Sequence, residues 1–263
     1  MKGRQAGLCP RTGRWPRRRD GREITTFIPL LLFWAVVMSL IFPASSPGAD
    51  PAVLFREDFA GLARWEPLTF PKIKAHSTYT LVREGEKSVL KAESRASASG
   101  LVCRQTFNIY EYPRLRWRWK VTNLTDRGDP REKEGDDYPI RIYVMFQYDP
   151  ARATTGERLV YNATRLIYGK HPPHSTLNYV WTGRNIPERF IVSPYTNKAR
   201  MVVLERGRER LGRWVEESVN VLDDYRRAFG KEPPALAGIA VMSDTDNTGA
   251  TAEAYVDFIE IRR

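Results

Sequence analysis

Cysteine and histidine are nearly missing from this chain: 263 residues hold two Cys and three His. Cys9 lies near the start, so everything after residue 49 carries one thiol, Cys103, and an internal disulfide there is excluded. His76, His171 and His174 fall in Pro-flanked or loop-like stretches, with no Cys–His spacing suited to zinc. No G-x-S-x-G, no H-E-x-x-H and no P-loop occurs. These absences remove the nucleophile-elbow hydrolases, the zincins and the P-loop NTPases. Cys103 sits inside the apolar alternation of Ser99–Phe107, which reads as a buried, inert thiol.

Charge is also missing from one long stretch, between Glu23 and Asp50. In front of it, residues 1–49 hold eight basic side chains against two acids, a net +6. Inside it runs Phe27–Phe42 (FIPLLLFWAVVMSLIF), followed by the small-residue tail PASSPGAD. A basic start, a short apolar run and a small-residue tail describe a secretory signal peptide. The competing reading is an uncleaved anchor, which reaches the span of about 20 apolar residues only by borrowing flanking positions. The cleaved signal is favoured. Either way Asp50–Arg263 is expected outside the cytoplasmic membrane, periplasmic in a Gram-negative cell, with membrane contact only through the N-terminal segment. The remaining 214 residues carry 34 basic and 29 acidic side chains, a net +5 with the signs interspersed. That balance, and the lack of a basic arm, exclude nucleic acid as partner.

What is abundant after Asp50 is short β-branched and aromatic runs between polar and Gly/Pro punctuation. In Arg114–Thr122, Leu115, Trp117, Trp119 and Val121 share one face while Arg114, Arg116, Arg118 and Lys120 share the other. Period two over nine residues is a strand. Ile140–Tyr148 repeats it, and nine further strands are expected: Val53–Phe59, Tyr79–Arg83, Ser88–Glu93, Leu101–Phe107, Thr176–Thr182, Ala199–Arg206, Trp214–Val221, Leu236–Ser243 and Ala252–Arg262. Leu222–Phe229 predicts a helix stopped by Gly230, and Arg158–Tyr168 is open between helix and strand. The expected architecture is all-β: residues 1–49 as leader, and residues 50–263 as one domain, a two-sheet antiparallel sandwich of jelly-roll type with one or two short helices.

Three clusters are candidate sites. The first is a polar sheet face carrying Arg116, Arg118 and Lys120 with Arg141 and Tyr143. It offers bidentate contacts to a polar or anionic ligand, or else is a salt-bridged surface. The second is Gly135-Asp136-Asp137, whose neighbouring carboxylates point opposite ways in an extended chain and so cannot form a dyad by themselves. The third is Ser243–Gly249 (SDTDNTG), where Asp244 and Asp246 stand in an order like a calcium loop. Tyr255 occupies the twelfth place, so it is not an EF-hand, and a plain hairpin turn is the commoner outcome. No organic cofactor is expected; a structural calcium is the one group considered.

The stretches Ser88–Leu101, Tyr112–Val121, Gly135–Phe146, Leu177–Thr182, Val219–Gly230 and Gly238–Ile261 resemble a family of exported bacterial proteins, the domain of unknown function 3047. That likeness implies no activity. More distantly, FREDF at Phe55–Phe59 and AYVDFIEI at Ala254–Ile261 are similar to the first and last strands of galactose-binding-like jelly rolls, some of them carbohydrate-binding modules. The resemblance implies that Glu57, Asp58 and Asp257 match acids that hold calcium in such modules. Three functional expectations stand. The first is non-catalytic binding of a glycan or other polar envelope ligand. The second is a carbohydrate-active enzyme pairing Asp136 or Asp137 with Asp224 or Asp244. The third is a structural envelope protein.

Overall fold

The computed structural model describes residues 52–151, 153–168 and 172–263. The leader, with its signal or anchor segment, lies outside the described residues. In chain order the elements are β1 (Val53–Glu57), β2 (Trp65–Leu68), β3 (Thr78–Glu84), β4 (Lys87–Arg95), β5 (Ala98–Asn108), β6 (Arg114–Val121), β7 (Tyr138–Phe146), α1 (Thr155–Tyr168), β8 (Ser175–Thr182), β9 (Phe190–Ser193), β10 (Thr196–Arg206), β11 (Val215–Asn220), α2 (Val221–Phe229), β12 (Leu236–Asp244) and β13 (Thr251–Arg262).

They form a two-sheet sandwich. One sheet has six strands in the order β11-β6-β13-β4-β3, with β1 also on β13; the other has seven, β2-β5-β12-β7-β8-β10-β9. Pairing is antiparallel except between β8 and β10, which run parallel because β9 takes the outer edge as the antiparallel partner of β10. The core follows from the alternation. Leu115, Trp117, Trp119 and Val121 are fully buried, and Trp117 meets Tyr179 at 5.2 Å while Trp119 meets Trp181 at 6.1 Å. Each such ring contributes ~4–6 kcal/mol of transfer free energy before entropy is subtracted. Cys103 is buried, and burial pushes its thiol pKa up, away from reactivity.

Two strands escape the sequence pattern. β2 and β9 have four residues each and sit at the two ends of the seven-stranded sheet. Pro67 inside β2 is tolerated because an edge strand has a ladder side facing no partner. The ambiguous Arg158–Tyr168 segment is helical. Its start is a capping box, with Glu157 N–H donating to Thr154 Oγ1 (3.2 Å) and Thr154 N–H donating to Glu157 Oε2 (2.9 Å). α2 begins one residue earlier than its periodicity indicates. Asn220 caps it by accepting from Asp223 N–H at 3.1 Å, and Gly230 ends it at φ 66°.

Candidate functional site

Outward-facing residues of β7, β8, β10 and β12 form the floor of a cavity of about 380 Å³ on the seven-stranded sheet. Its walls come from sequence-distant loops: Phe70 and Ile73 before β3, Asp136 before β7, Ser193 to Thr196 at the β9–β10 turn, and Asp246 and Asn247 after β12. Gly135 makes the loop before β7 fold this tightly. A Cβ there would meet Asp129 N at 2.5 Å and Arg127 O at 2.8 Å, so no larger residue fits. The β7–β12 register also slips at this point, from Met242 opposite Arg141 to Asp244 opposite Tyr138. Such a bulge turns a strand locally and re-aims its side chains.

Arg141 is the centre of the site, with a side chain only 4% exposed. Its Nε donates to Asp244 Oδ1 at 3.1 Å, Nη1 to Asp136 Oδ2 at 3.4 Å and Nη2 to the Asp136 carbonyl at 3.2 Å, and Nη2 also pairs with Asp244 Oδ2. Its guanidinium lies 4.6 Å from the Tyr138 ring centre and 5.8 Å from that of Tyr143. Burial disfavours the charge, yet the electrostatic pull of Tyr143, Asp136 and Tyr138 wins, and Arg141 is held protonated. Burial raises the Tyr143 hydroxyl, against the pull of Arg141. Asp137 does separate work, as the alternation requires: it accepts from Thr248 N–H at 2.6 Å and Asn247 N–H at 3.3 Å. Burial, then the neighbouring charge of Asp137, raises Asp246. Asn178 projects from β8 with Nδ2 on Met201 Sδ at 3.5 Å, while its Oδ1 is buried without a partner.

The structure therefore unites Asp136, Asp137, Arg141, Tyr143, Asp244 and Asp246. It separates them from Arg116, Arg118 and Lys120, which lie on the outer face of the other sheet; the single polar face expected from the sequence is two faces. The cations of β6 are interleaved with acids. Arg116 pairs with Glu216 and with Glu260 (3.4 Å), Arg118 with Asp257 (3.0 Å), and Lys120 with Glu84. The anionic ligand also loses its rationale. Arg141 commits four of its N–H donors to Asp136 and Asp244, and Asp137 and Asp246 bring two further carboxyls to the same loops.

Asp137, Asp244 and Asp246 bring ligand atoms within 4.8 Å of one another, the one metal-type trio among the described residues. In that trio Asp244 is also engaged by Arg141, and Asp137 by two backbone amides. The other expected calcium acids are apart in role. Glu57 accepts from Phe59 N–H and from the Trp65 indole, Asp58 pairs with Arg56, and Asp257 pairs with Lys87 and Arg118. The proposed acid–base pairs are likewise engaged elsewhere: Asp224 accepts from the Tyr179 hydroxyl at 3.2 Å and from Arg189 at 3.4 Å.

Asn178, Tyr195, Met201 and Met242 are cavity residues that sequence reasoning passed over. A polar Asn within the apolar run Leu177–Trp181 was the available signal for the first. The hydroxyl of Tyr195 donates to Asn247 Oδ1 at 3.1 Å, tying the β9–β10 turn to the loop after β12.

The sequence matches, over residues 63–260, the family described as Protein of unknown function (DUF3047). No curated protein matches it. Similar solved structures include a family 11 carbohydrate-binding module of a cellulosomal cellulase of Clostridium thermocellum. It is 9% identical at a TM-score of 0.38, with 81% of this chain and 94% of that one covered. The family GH12 endoglucanase 3 of Trichoderma harzianum is 9% identical at a TM-score of 0.37, covering 76% and 99%. The winged bean acidic lectin complexed with methyl-α-D-galactose is 9% identical at a TM-score of 0.34, covering 80% and 98%.

Proposed function

The chain belongs to the DUF3047 family, and from that premise and the geometry above we propose that it is an exported protein that binds an uncharged glycan of the cell envelope without turning it over. The observation that carries this reading is the cavity over Arg141. Its floor and walls combine the polar side chains of Asn178, Tyr143, Ser193, Thr176 and Asn247 with the apolar surfaces of Phe70, Met201 and Met242. Fixed neutral hydrogen-bonding groups beside apolar walls suit a polyhydroxylated ring. The excess of carboxyls over the single Arg141, already paired with two of them, disfavours anions.

Binding is favoured over hydrolysis for a stated reason. Glycoside cleavage needs two carboxyls flanking the bond, one as acid and one as base or nucleophile. Here Asp136 and Asp244 are bound to Arg141 and Asp137 to amides, leaving Asp246 without a partner for that chemistry. The export half of the proposal rests on the uncharged segment behind the +6 leader, and fusing residues 1–60 to a reporter active only after export tests it. The binding half is tested on an envelope-glycan array followed by product analysis. Retention without new reducing ends, lost in Asn178→Ala, is the expected result. Cleavage abolished by Asp246→Asn would replace this reading with the enzymatic one, and no retention on any glycan would end both.

A further inference from the structure

One wall of the cavity is fastened by a single side chain. Ser193, Tyr195 and Thr196 of the β9–β10 turn stand at its rim. From there the Tyr195 hydroxyl reaches two loops distant in sequence, donating to Asn247 Oδ1 at 3.1 Å and to the Lys133 carbonyl at 3.2 Å. Lys133 Nζ lies 5.6 Å from the centre of the Tyr195 ring. Among the described residues, those two are the side-chain hydrogen bonds that carry the hairpin tip across to the loops before β7 and after β12. The two loops hold each other without it. Asn247 donates Nδ2 to the Asp136 carbonyl and its N–H to Asp137 Oδ1, both at 3.3 Å.

The fastening is weak by construction. A phenol has one proton, here shared between two acceptors. Tyr195 is 54% exposed, so water competes for both bonds. The hairpin behind it is loose as well. β9 is a four-residue edge strand whose one neighbour is β10. Their ladder steps from Thr196 opposite Ser193 to Arg200 opposite Val192, four residues along β10 against one along β9. Such an irregularity leaves residues unpaired against β9 and lets the strand bend. Thr196, Asn197 and Lys198 are exposed, so little burial holds the tip down. Beyond it, Lys198 Nζ donates to the Tyr161 hydroxyl of α1 at 3.1 Å, which confines movement to residues 194–197.

We propose that residues 194–197 are a gate at the cavity mouth and that the Tyr195 hydroxyl is its latch. The gate rests on reading the cavity as a binding site and adds to that reading the route by which the ligand enters. When the phenol lets go, Asn247 Oδ1 and the Lys133 carbonyl become open acceptors at the mouth. A hydroxyl of the incoming ligand can donate to either in the phenol's place, so entry exchanges one hydrogen bond for another. The loops before β7 and after β12 stay joined through Asn247 while the hairpin tip moves.

Tyr195→Phe removes the latch and keeps the ring beside Lys133, so it tests the hydroxyl alone. The first probe needs no ligand. Met201 and Met242 are buried in the cavity floor, and hydrogen peroxide followed by mass spectrometry of the full chain reads how often the cavity opens. In Tyr195→Phe both thioethers should oxidise about two- to fivefold faster, as the loss of one weak hydrogen bond predicts. Met145, half-buried on β7 outside the cavity lining, should keep its rate. Tyr195→Ala, which removes the ring too, should speed Met201 and Met242 further. Unchanged rates at those two residues, or the same acceleration at Met145, overturn the gate. The second probe is a glycan retained on the array, whose association rate should rise by the same factor in Tyr195→Phe. An unaltered association rate would show the ligand entering elsewhere and also overturns the gate. Faster oxidation with no glycan retained leaves the gate standing and removes the glycan reading, so the two failures are distinct.

Discussion

The two outer faces of this sandwich are built from nearly the same letters and end in opposite states. β6 points Arg116, Arg118 and Lys120 outward, and every one is answered by an acid on a neighbouring strand or hairpin. Phe258 lies under the guanidinium of Arg56 at 4.2 Å, and Trp214 under Lys120 at 4.9 Å. These groups remain within reach of solvent; the Arg118 side chain is 36% exposed. β7 points Arg141 outward by the same alternation, yet that side chain is 4% exposed. The difference lies in the cover. Loops before β3 and β7, the β9–β10 turn and the loop after β12 roof the second face and leave the first open. A strand pattern makes a charged face; sequence-distant loops decide whether that face is a solvated lattice or a fixed site.

The largest effect that sharpens this contrast is thermodynamic. Arg141→Ala strands Asp136 and Asp244 in a dry environment, and losing one partner of a buried ion pair costs about 3–5 kcal/mol. Arg116→Ala removes pairs on the open face, where each is worth about 0–1 kcal/mol. Urea unfolding of both variants should separate them by at least ~1 kcal/mol. Equal losses would mean the two faces are energetically alike.

Ligand affinity gives the next contrast. Asn178→Ala deletes an acceptor that has no partner inside the protein, so little stability is at stake beyond its contact with Met201. A glycan that draws this amide into the cavity would lose one hydrogen bond, about 1–2 kcal/mol or roughly tenfold in Kd by titration calorimetry with a glycan from the array. Arg118→Ala on the opposite face should leave Kd unchanged. Loss of binding in Arg118→Ala with none in Asn178→Ala would place the ligand on the open face.

How far the sequence foretold this depends on the range of the interaction that decides each feature. Strands such as β6 and β13 are readable because period-two alternation is local, and Trp117 and Trp119 are core residues for the same reason. β2 and β9 are too short to show a period; their partners make them strands. The site was half readable. Asp136, Arg141, Tyr143, Asp244 and Asp246 carry local signals, a turn before a strand or a charge within one. Grouping Arg141 with Arg116, Arg118 and Lys120 failed because nothing in either strand states which sheet it joins. The pairing of β7 with β12 and of β6 with β13 is a choice between segments about 100 and about 140 residues apart. Asn178 and Tyr195 belong to the site only because β8 and the β9–β10 turn are brought beside β7.

The smallest effect concerns acids of opposite electrostatic sign on the two faces. On the open face, hydrogen bonds from Lys91 and Tyr255 hold Glu253 below the usual carboxylate range. Its lowered pKa contributes stability that is present above the unfolded-state value and lost as pH falls through the folded one. In the cavity Asp246 is raised, by burial first and the charge of Asp137 next. A raised acid works in reverse: its contribution is full below the unfolded value and is lost as pH rises through the folded one. Glu253→Gln should therefore lower the Tm at pH 7 and leave it unchanged near pH 3, by an amount worth a few tenths of a kcal/mol for a pair this exposed. Asp246→Asn should raise the Tm at pH 7 and do nothing near pH 3. Added salt should shrink the Glu253 effect more than the Asp246 effect, because the half-buried Asp246 is screened less than the open face. Paired thermal scans at the two pH values and two salt concentrations check all three statements. A Tm change of the same sign for both variants at pH 7 would show that the cavity carboxyl is no more strained than one on the open lattice.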